Sequence, residues 1–128
     1  MEILLVEDNS GDILLIQTAF GEMEEVDVRF VTKTNGLDAS MYISQAESIP
    51  DLVILDLNLP QRNGLEILSE INSNGKYADV PVVLFTSSND ETDKLKALSM
   101  GARTYVIKSI DFDEYKRQVT AFLNFVGS

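Results

Sequence analysis

An aspartate at the end of an apolar run is the first residue in this chain whose position suggests chemistry. The run over residues 52–59 is rich in leucine, valine and isoleucine, contains Asp56, and is bounded by Pro50 and Pro60. Such a run is typical of a strand buried on both faces of a parallel sheet. Asp56 would then lie at the carboxyl end of the strand, where open α/β sheets bind ligands. Aspartate is also a common turn or helix-cap residue, so this stretch alone leaves both interpretations open.

Three other apolar runs also end in polar side chains. They are Glu7 and Asp8 after residues 3–6, Thr86 at the end of residues 80–86, and Lys108 after residues 105–107. The stretch over residues 26–31, which alternates in part as an edge strand does, ends in no comparable group. Each side chain alone could be a cap, a strand-end hydroxyl or a solvated lysine. Their recurrence at the same end of four strands favours one shared site.

Each predicted strand is followed by a segment with apolar residues at helical spacing, which predicts five β-α units. The second helix is expected over about residues 35–47, and the third over residues 63–75. In the fourth helix, Leu95 and Leu98 are expected to face inward, and Gly101 is expected to end the helix. The final helix is expected to bury one apolar stripe, made of Phe112, Tyr115, Val119, Phe122, Leu123 and Val126.

The strict alternation of strands and helices predicts a parallel sheet with helices on both faces and right-handed crossovers. Five units are too few for an eight-stranded barrel, so the fold class is an open, doubly wound α/β sheet. With 128 residues and 45% hydrophobic content, the chain is expected to form one domain over residues 1–128. If the strands lie in the order 2-1-3-4-5, the polar groups at their ends converge at one edge of the sheet.

Composition narrows the classes of function. The formal net charge of −11, with only 10 lysines and arginines, disfavours nucleic acid and anionic membranes as partners. The absence of cysteine and histidine excludes thiolate catalysis and imidazole bases, so chemistry must come from carboxylates, hydroxyls, lysine or a bound metal. No apolar stretch approaches about 20 residues and no basic region precedes the first strand, so a cytoplasmic protein is expected.

Three carboxylates at one edge of a sheet would repel one another. Lys108 can offset only one of these charges. A divalent cation can offset the remainder, and Mg²⁺ is favoured because it prefers a hard shell of carboxylate, carbonyl and water oxygens that is often shared with a phosphate. The sequence therefore predicts a magnesium site.

With their spacing, these residues closely resemble the receiver domain of two-component response regulators. The matching positions are Glu7, Asp8, Asp56, Asn58, Pro60, Gly64, Thr86 and Lys108. The resemblance covers essentially all 128 residues. It implies a flavodoxin-like three-layer sandwich with five parallel strands in the order 2-1-3-4-5. The acidic start, the Lys-Ser pair and the lack of an output domain are similar to stand-alone regulators paired with phytochrome-type kinases.

The resemblance implies a metal-binding and a phosphate-accepting role for the acidic residues. Asp56 would be the phosphoacceptor, since a carboxylate can act as a nucleophile and form an acyl phosphate. Asp8 would bind Mg²⁺ directly, Glu7 would act through water, and the backbone carbonyl of Asn58 would complete the share of the metal shell that the protein supplies.

The resemblance also assigns the other polar residues. Lys108 would pair with one phosphoryl oxygen, and Thr86 would donate its hydroxyl to another. Tyr105 matches the switch aromatic of the family, whose inward or outward position follows the movement of Thr86. A half-buried strand tyrosine is the alternative interpretation of Tyr105.

Ser109 departs from the family pattern, in which a proline with a cis peptide bond usually follows the lysine. A cis bond before a residue other than proline costs about 2.5–4 kcal/mol. Either the Lys108–Ser109 bond is trans and the loop is rearranged, or the site holds the strain.

The sequence therefore predicts a single-domain response regulator, not a turnover enzyme, that accepts a phosphoryl group from a sensor histidine kinase on Asp56 and signals to a downstream protein. A receiver-like interaction module that is never phosphorylated is the alternative. An aspartate-nucleophile phosphatase would need a second acid where Asn58 stands, and a flavin or nucleotide carrier would have its phosphate repelled by Glu7 and Asp8. Phe125 flanks the final apolar stripe, so it could belong to a homodimer or partner surface or be ordinarily half-buried.

Overall fold

Alternating strands and helices run through the whole of the computed structural model, which describes residues 1–127. The strands are β1 Glu2–Val6, β2 Arg29–Lys33, β3 Leu52–Leu55, β4 Val82–Thr86 and β5 Thr104–Ile107. The helices are α1 Ser10–Gly21, α2 Gly36–Gln45, α3 Gly64–Asn72, α4 Glu91–Ser99 and α5 Phe112–Ala121. Short 3-10 turns follow α3 at Gly75–Tyr77 and α5 at Phe122–Phe125.

The five strands form one sheet in the order β2-β1-β3-β4-β5, and every neighbouring pair is parallel. This confirms the predicted fold class and strand order. The central strands β1, β3 and β4 are almost entirely buried because helices cover both faces of the sheet.

Two hydrophobic clusters, one on each face of the sheet, make the three layers. On one face, Ala39 of α2, Ile67 of α3 and Ala97 of α4 pack against β1, β3 and β4. On the other face, Phe20 of α1 and Val119 of α5 pack against the opposite side chains of the same strands. The sheet is packed between these two clusters, which holds the ends of its strands in fixed positions relative to one another.

All five helices begin with an asparagine or aspartate whose side chain accepts a hydrogen bond from a backbone N–H in the first turn. These N-cap residues are Asn9, Asn35, Asn63, Asp90 and Asp111. The caps start each helix after the carboxyl end of the preceding strand. The helix N-termini, which carry partial positive charge, therefore lie along the same edge as the strand ends.

The structure corrects several predicted boundaries. β2 begins at Arg29, three residues later than predicted, because residues 24–25 form a turn and residues 26–28 lie outside the strand. The second helix ends at Gln45, not near residue 47, and the third ends at Asn72 before the separate 3-10 turn.

The predicted burial was wrong for two helices. Leu95 and Leu98 are 60% and 39% exposed, and the buried residue of α4 is Ala97. Phe112 is 50% exposed and lies outside the buried stripe of α5. In both helices apolar residues occupy more than one face, so helical spacing alone does not identify the face that meets the sheet.

Phe125 is half-buried and packs against the cluster shared by α1 and α5, as expected for ordinary partial burial. No helix within residues 1–127 has the length and apolar character needed to span a membrane.

Candidate phosphoacceptor and metal site

The polar residues predicted from the strand ends come together at the carboxyl edge of β1, β3, β4 and β5. Val6 pairs with Leu55 in the sheet, so Glu7 and Asp56, the next residues of β1 and β3, lie side by side. Thr86, the last residue of β4, pairs with Ile107, the last residue of β5. Lys108, which follows Ile107, therefore lies just beyond the ends of both strands. This convergence follows from the strand order, because β1 and β3 are neighbours at the point where the order reverses.

Glu7, Asp8 and Asp56 form a compact group of carboxylates. One oxygen from each lies within 4.8 Å of the others, a spacing that allows all three to bind one metal ion. Glu7 and Asp56 are only 1% and 6% exposed, whereas Asp8 is exposed to solvent. Three hard oxygen donors with one open side fit a divalent cation such as Mg²⁺ that keeps several of its waters.

Lys108 is buried among carboxylates. Its Nζ lies 2.6 Å from Oε1 of Glu7 and 3.0 Å from Oδ2 of Asp56, and the lysine side chain is 7% exposed. A third carboxylate, Asp12, contributes Oδ2 at 3.0 Å. The three N–H groups of the ammonium are therefore matched by three acceptors, which fixes its position at the edge of the sheet.

Burial and charge oppose one another at these residues. Burial raises the pKa of Glu7 from its usual 4.5 to about 7, and it outweighs the hydrogen bond from Lys108, which lowers the pKa. For Lys108, burial alone would lower the pKa, but the hydrogen bond to Glu7 and the charges of Asp56 and Glu7 raise it above its usual value. Lys108 is therefore a permanent cation at neutral pH.

Two residues of the site, Asp12 and Tyr115, were not predicted as functional. Asp12 lies in the first turn of α1, and its second oxygen, Oδ1, accepts a hydrogen bond from the Tyr115 hydroxyl of α5 at 2.6 Å. The helical spacing of apolar residues assigned Tyr115 to the apolar stripe of the final helix, which is correct for its buried ring, and no role was predicted for Asp12. The sequence pattern did not predict that the Tyr115 hydroxyl or the Asp12 carboxylate belongs to the site.

The loop after β3 keeps Asp56 in place. The N–H of Asn58 faces Oδ1 of Asp56 at 3.4 Å, and the N–H of Gly64 donates to the carbonyl of Leu57 at 2.8 Å. A Cβ atom on Gly64 would lie 2.3 Å from the backbone oxygen of Asp56, so only glycine fits at the start of α3. The role of the Asn58 carbonyl in metal binding stays a prediction.

The predicted switch residues meet at Ser88. Thr86 is fully buried, and its Oγ1 accepts a hydrogen bond from the backbone N–H of Ser88 at 3.2 Å. The Tyr105 hydroxyl donates to the backbone carbonyl of Ser88 at 3.0 Å, and its ring is buried. Thr86 and Tyr105 are thus joined through one backbone segment in this inward arrangement of Tyr105.

The peptide bond between Lys108 and Ser109 is trans, as are all peptide bonds within residues 1–127. The loop is secured by Gln118 of α5, whose Oε1 accepts from the N–H of Ser109 at 3.0 Å and whose Nε2 donates to the carbonyl of Ile107 at 2.9 Å. The side chain of Gln118 therefore holds the backbone on both sides of Lys108. Of the two alternatives that Ser109 left open in the sequence, the structure therefore shows the trans bond.

An open parallel sheet that gathers three carboxylates, a lysine and a threonine at its carboxyl edge defines an α/β domain whose acidic site can hold a divalent cation. The family model of the response regulator receiver domain matches residues 3–120. The chain therefore belongs to the response regulator receiver family of two-component signalling.

Relatives with known names support the same family. Over 128 residues the chain is 31% identical to the response regulator Rcp1 of Synechocystis sp., covering 96% of this chain and 86% of that protein. It is 36% identical over 121 residues to the probable methanogenesis regulatory protein FilR2 of Methanothrix harundinacea, covering 91% and 77% of the two chains.

Solved structures agree in fold. The phosphorylated cyanobacterial phytochrome response regulator RcpA superimposes with a TM-score of 0.91 at 36% identity, covering 99% of this chain and 94% of that one. The Mn²⁺-bound form of Rcp1 superimposes with a TM-score of 0.88 at 32% identity, covering 97% and 92%.

Proposed function

We propose that this protein accepts a phosphoryl group on Asp56 from the phosphohistidine of a sensor kinase, in a reaction that requires Mg²⁺. The observation that carries the proposal is the position of the Asp56 carboxylate, which is held between the N–H of Asn58 and the ammonium of Lys108 and lies within the group of three acidic residues. In this arrangement a nucleophile, its metal ligands and a fixed cation share one small site.

The transfer exchanges one bond for another. An oxygen of Asp56 forms a bond to phosphorus as the bond between phosphorus and the histidine nitrogen breaks, and the nitrogen keeps the electron pair. When bound, Mg²⁺ supplies positive charge that allows two anionic groups to approach. Lys108 pairs with one phosphoryl oxygen, and the hydroxyl of Thr86 turns to donate to another.

The acidic residues divide the binding of the metal. Asp8 is the solvent-facing carboxylate and would hold Mg²⁺ directly, together with Asp56 and the backbone carbonyl of Asn58. Glu7 is buried against Lys108 and would act through water. The solved Mn²⁺-bound form of Rcp1, at 32% identity, supports a divalent cation in a domain of this kind.

Phosphorylation would be read through Thr86, Ser88 and Tyr105. Turning the Thr86 hydroxyl toward the phosphoryl group removes the acceptor of the Ser88 N–H. The Ser88 carbonyl that anchors the Tyr105 hydroxyl then shifts, and the surface formed by α4, β5 and α5 changes. A downstream protein that binds this surface would receive the signal.

The partner that donates the phosphoryl group is proposed to be a sensor histidine kinase of the phytochrome type. This finer assignment is supported by RcpA, which is described as a cyanobacterial phytochrome response regulator and is 36% identical over nearly the whole chain. The cytoplasmic location and the lack of catalytic turnover expected from the sequence are part of the same proposal.

Intact-protein mass spectrometry tests the proposal. The protein is incubated with Mg²⁺ and a small acyl phosphate, and the mass is followed over time. A gain of one phosphoryl group in the wild type that is absent in Asp56→Asn and absent with a chelator is expected. Asp51→Asn, which changes an exposed aspartate that accepts from the N–H of Glu2, is the matched control and should be phosphorylated normally.

No mass gain with the acyl phosphate or with a phosphorylated histidine kinase would contradict the proposal and favour an interaction module that is never phosphorylated. Release of inorganic phosphate over many cycles from phosphomonoesters would instead favour a phosphatase.

A further inference from the structure

All three N–H groups of Lys108 face carboxylates in the resting structure. The acceptors are Glu7 at 2.6 Å, Asp12 at 3.0 Å and Asp56 at 3.0 Å. A phosphoryl oxygen that is to pair with Lys108 must take the place of one of them, because an ammonium has only three donors.

Asp12 differs from the other two acceptors. Glu7 and Asp56 extend from strand ends and their side chains are 2% and 8% exposed, whereas Asp12 extends from α1 and its side chain is 20% exposed. It lies outside the metal-binding group of Glu7, Asp8 and Asp56. A carboxylate that is partly hydrated loses least when its bond to Lys108 is replaced, since water can take over.

Tyr115 holds Asp12 in this position. Its hydroxyl donates to Oδ1 of Asp12 at 2.6 Å, while Oδ2 of the same carboxylate faces Lys108. The ring of Tyr115 is buried edge-to-face against Phe85 with centroids 5.0 Å apart, so the hydroxyl is anchored by the core. The carboxylate of Asp12 is therefore fixed between a rigid donor and the lysine.

We propose that Asp12, held by Tyr115, is a built-in competitor of the phosphoryl group for Lys108 and so sets the rate at which Asp56 is phosphorylated. This inference rests on the proposed function, because it concerns the same transfer. Asp12 and Tyr115 are positioning residues, since they act through Lys108 and not on the reacting atoms. Once the phosphoryl group is attached, Lys108 faces it, and Oδ2 of Asp12 bonds to water in place of Lys108 while Oδ1 keeps its bond from Tyr115.

Removing the competitor is expected to speed phosphorylation without changing hydrolysis. In Asp12→Asn, the second-order rate constant for phosphorylation by an acyl phosphate at low donor concentration should rise about tenfold, the lower end of what a hydrogen bond between charged groups is worth. The rate of hydrolysis of phosphorylated Asp56 should stay within about twofold, because Asp12 no longer contacts Lys108 in that state.

Tyr115→Phe tests the hydrogen bond between Tyr115 and Asp12 without removing the negative charge of Asp12. It removes the hydroxyl that holds Asp12 but leaves the net charge and the buried ring unchanged, so the rate should rise by roughly threefold. The double variant Asp12→Asn with Tyr115→Phe should match Asp12→Asn alone, because Tyr115 acts only through Asp12. A residue with a merely structural role would not give this pattern.

The experiment compares these variants by intact mass, beside the wild type, Asp56→Asn and Asp113→Asn. Asp113 is an exposed acid in the first turn of α5, so Asp113→Asn controls for the loss of one negative charge and should change the rate by less than about twofold. Urea unfolding of each variant checks that the fold is retained.

Each other outcome contradicts the inference in a distinct way. Equal or slower phosphorylation of Asp12→Asn, or an unchanged Tyr115→Phe beside a faster Asp12→Asn, overturns the competitor while leaving the proposed function intact. A wild type that takes no phosphoryl group overturns both.

Discussion

The side chain of Gln118 accepts a hydrogen bond from the backbone N–H of Ser109 at 3.0 Å, and it donates one to the carbonyl of Ile107 at 2.9 Å. Lys108 lies between these two residues and directs its ammonium into the acidic group. The restraint that a proline would give the loop is thus supplied from α5 by a glutamine side chain. The bond before Ser109 is trans, and the N–H of Ser109, which a proline would lack, has an acceptor in Gln118.

Gln118→Leu tests this restraint. It removes both hydrogen bonds while keeping a side chain of similar size, so the free energy of unfolding should fall by about 1–2 kcal/mol. Phosphorylation of Asp56 should slow by about tenfold, because the backbone on both sides of Lys108 is released and the ammonium is no longer aimed. Urea unfolding and the mass time course measure the two effects.

Arg117→Gln is the control for Gln118→Leu. Arg117 is the neighbouring residue of α5 and forms an exposed ion pair with Glu114, which contributes little to stability. Both the unfolding midpoint and the phosphorylation rate should stay close to the wild type. If Gln118→Leu were phosphorylated as fast as Arg117→Gln, the aim of Lys108 would not depend on Gln118.

Thr86→Val should separate phosphorylation from signalling. Valine keeps the shape of the buried threonine but removes the hydroxyl that accepts from the Ser88 N–H. We expect Asp56 still to be phosphorylated, at a rate lower by about tenfold, because one donor to the phosphoryl group is lost. In the wild type, phosphorylation should shift the amide resonance of Ser88 and the ring resonances of Tyr105. In Thr86→Val these shifts should be absent, and NMR measures them.

Ser87→Ala is the control for Thr86→Val, since Ser87 is the exposed residue next to Thr86. The shifts of the Ser88 and Tyr105 resonances on phosphorylation of Ser87→Ala should match those of the wild type. Full Tyr105 changes in phosphorylated Thr86→Val would show that the signal bypasses the Thr86 hydroxyl.

Gly64→Ala should damage the fold and the site together. The added Cβ would lie 2.3 Å from the carbonyl oxygen of Asp56 and 2.8 Å from Cα of Leu57, and both are backbone atoms that cannot turn away. A loss of roughly 3 kcal/mol in the free energy of unfolding is expected from this overlap. Urea unfolding measures the loss.

Gly21→Ala is the control for Gly64→Ala, because it makes the same substitution at a glycine with open space around it. Gly21 ends α1, and a Cβ atom added there would meet no heavy atom within 4 Å beyond its chain neighbours and its own helix backbone. Alanine there should be neutral or stabilise the protein by about 0.5 kcal/mol, because it restricts the unfolded chain. Similar losses in both variants would mean that the overlap at Asp56 is not the cause.

The fold could be predicted from the sequence because its signals are local and repeated. Four of the five apolar runs in the sequence end in or are followed by a polar residue of the site, and each of the helices α1 to α5 follows an asparagine or aspartate that caps it. Parallel connections then leave few topologies, and the resemblance to receiver domains implied the order of the strands. The prediction that Leu95 and Leu98 face inward was wrong because α4 meets the sheet mainly through the small residue Ala97.

The part of the site that the sequence did not predict comes from helices and not from strand ends. Asp12 of α1 contacts Lys108, Gln118 of α5 contacts the loop around Lys108, and Tyr115 of α5 contacts Asp12. These contacts form because α1 and α5 pack on the same face of the sheet. Asp12 and Tyr115 are 103 positions apart in the chain. No local pattern links residues so distant, and each is also explained by its place in its own helix.

Glu7 should make the stability of the metal-free protein depend on pH. Burial raises its pKa in the folded state from 4.5 to about 7, so the folded protein binds this proton more tightly than the unfolded chain. The stabilisation is therefore complete below about pH 4.5 and is lost as the pH rises to about 7. The stability of the wild type relative to Glu7→Gln, which mimics the protonated acid, should fall on the order of 3 kcal/mol across this range.

Urea unfolding at several pH values in the presence of a chelator measures this dependence. Glu66→Gln, an exposed acid in the first turn of α3, is the control, and its curve should run parallel to that of the wild type. A wild-type curve parallel to that of Glu7→Gln would show that Glu7 loses its proton equally easily in both states. Mg²⁺ should reverse the trend above pH 7, because the ion binds the ionised carboxylates of the folded protein and adds to its stability.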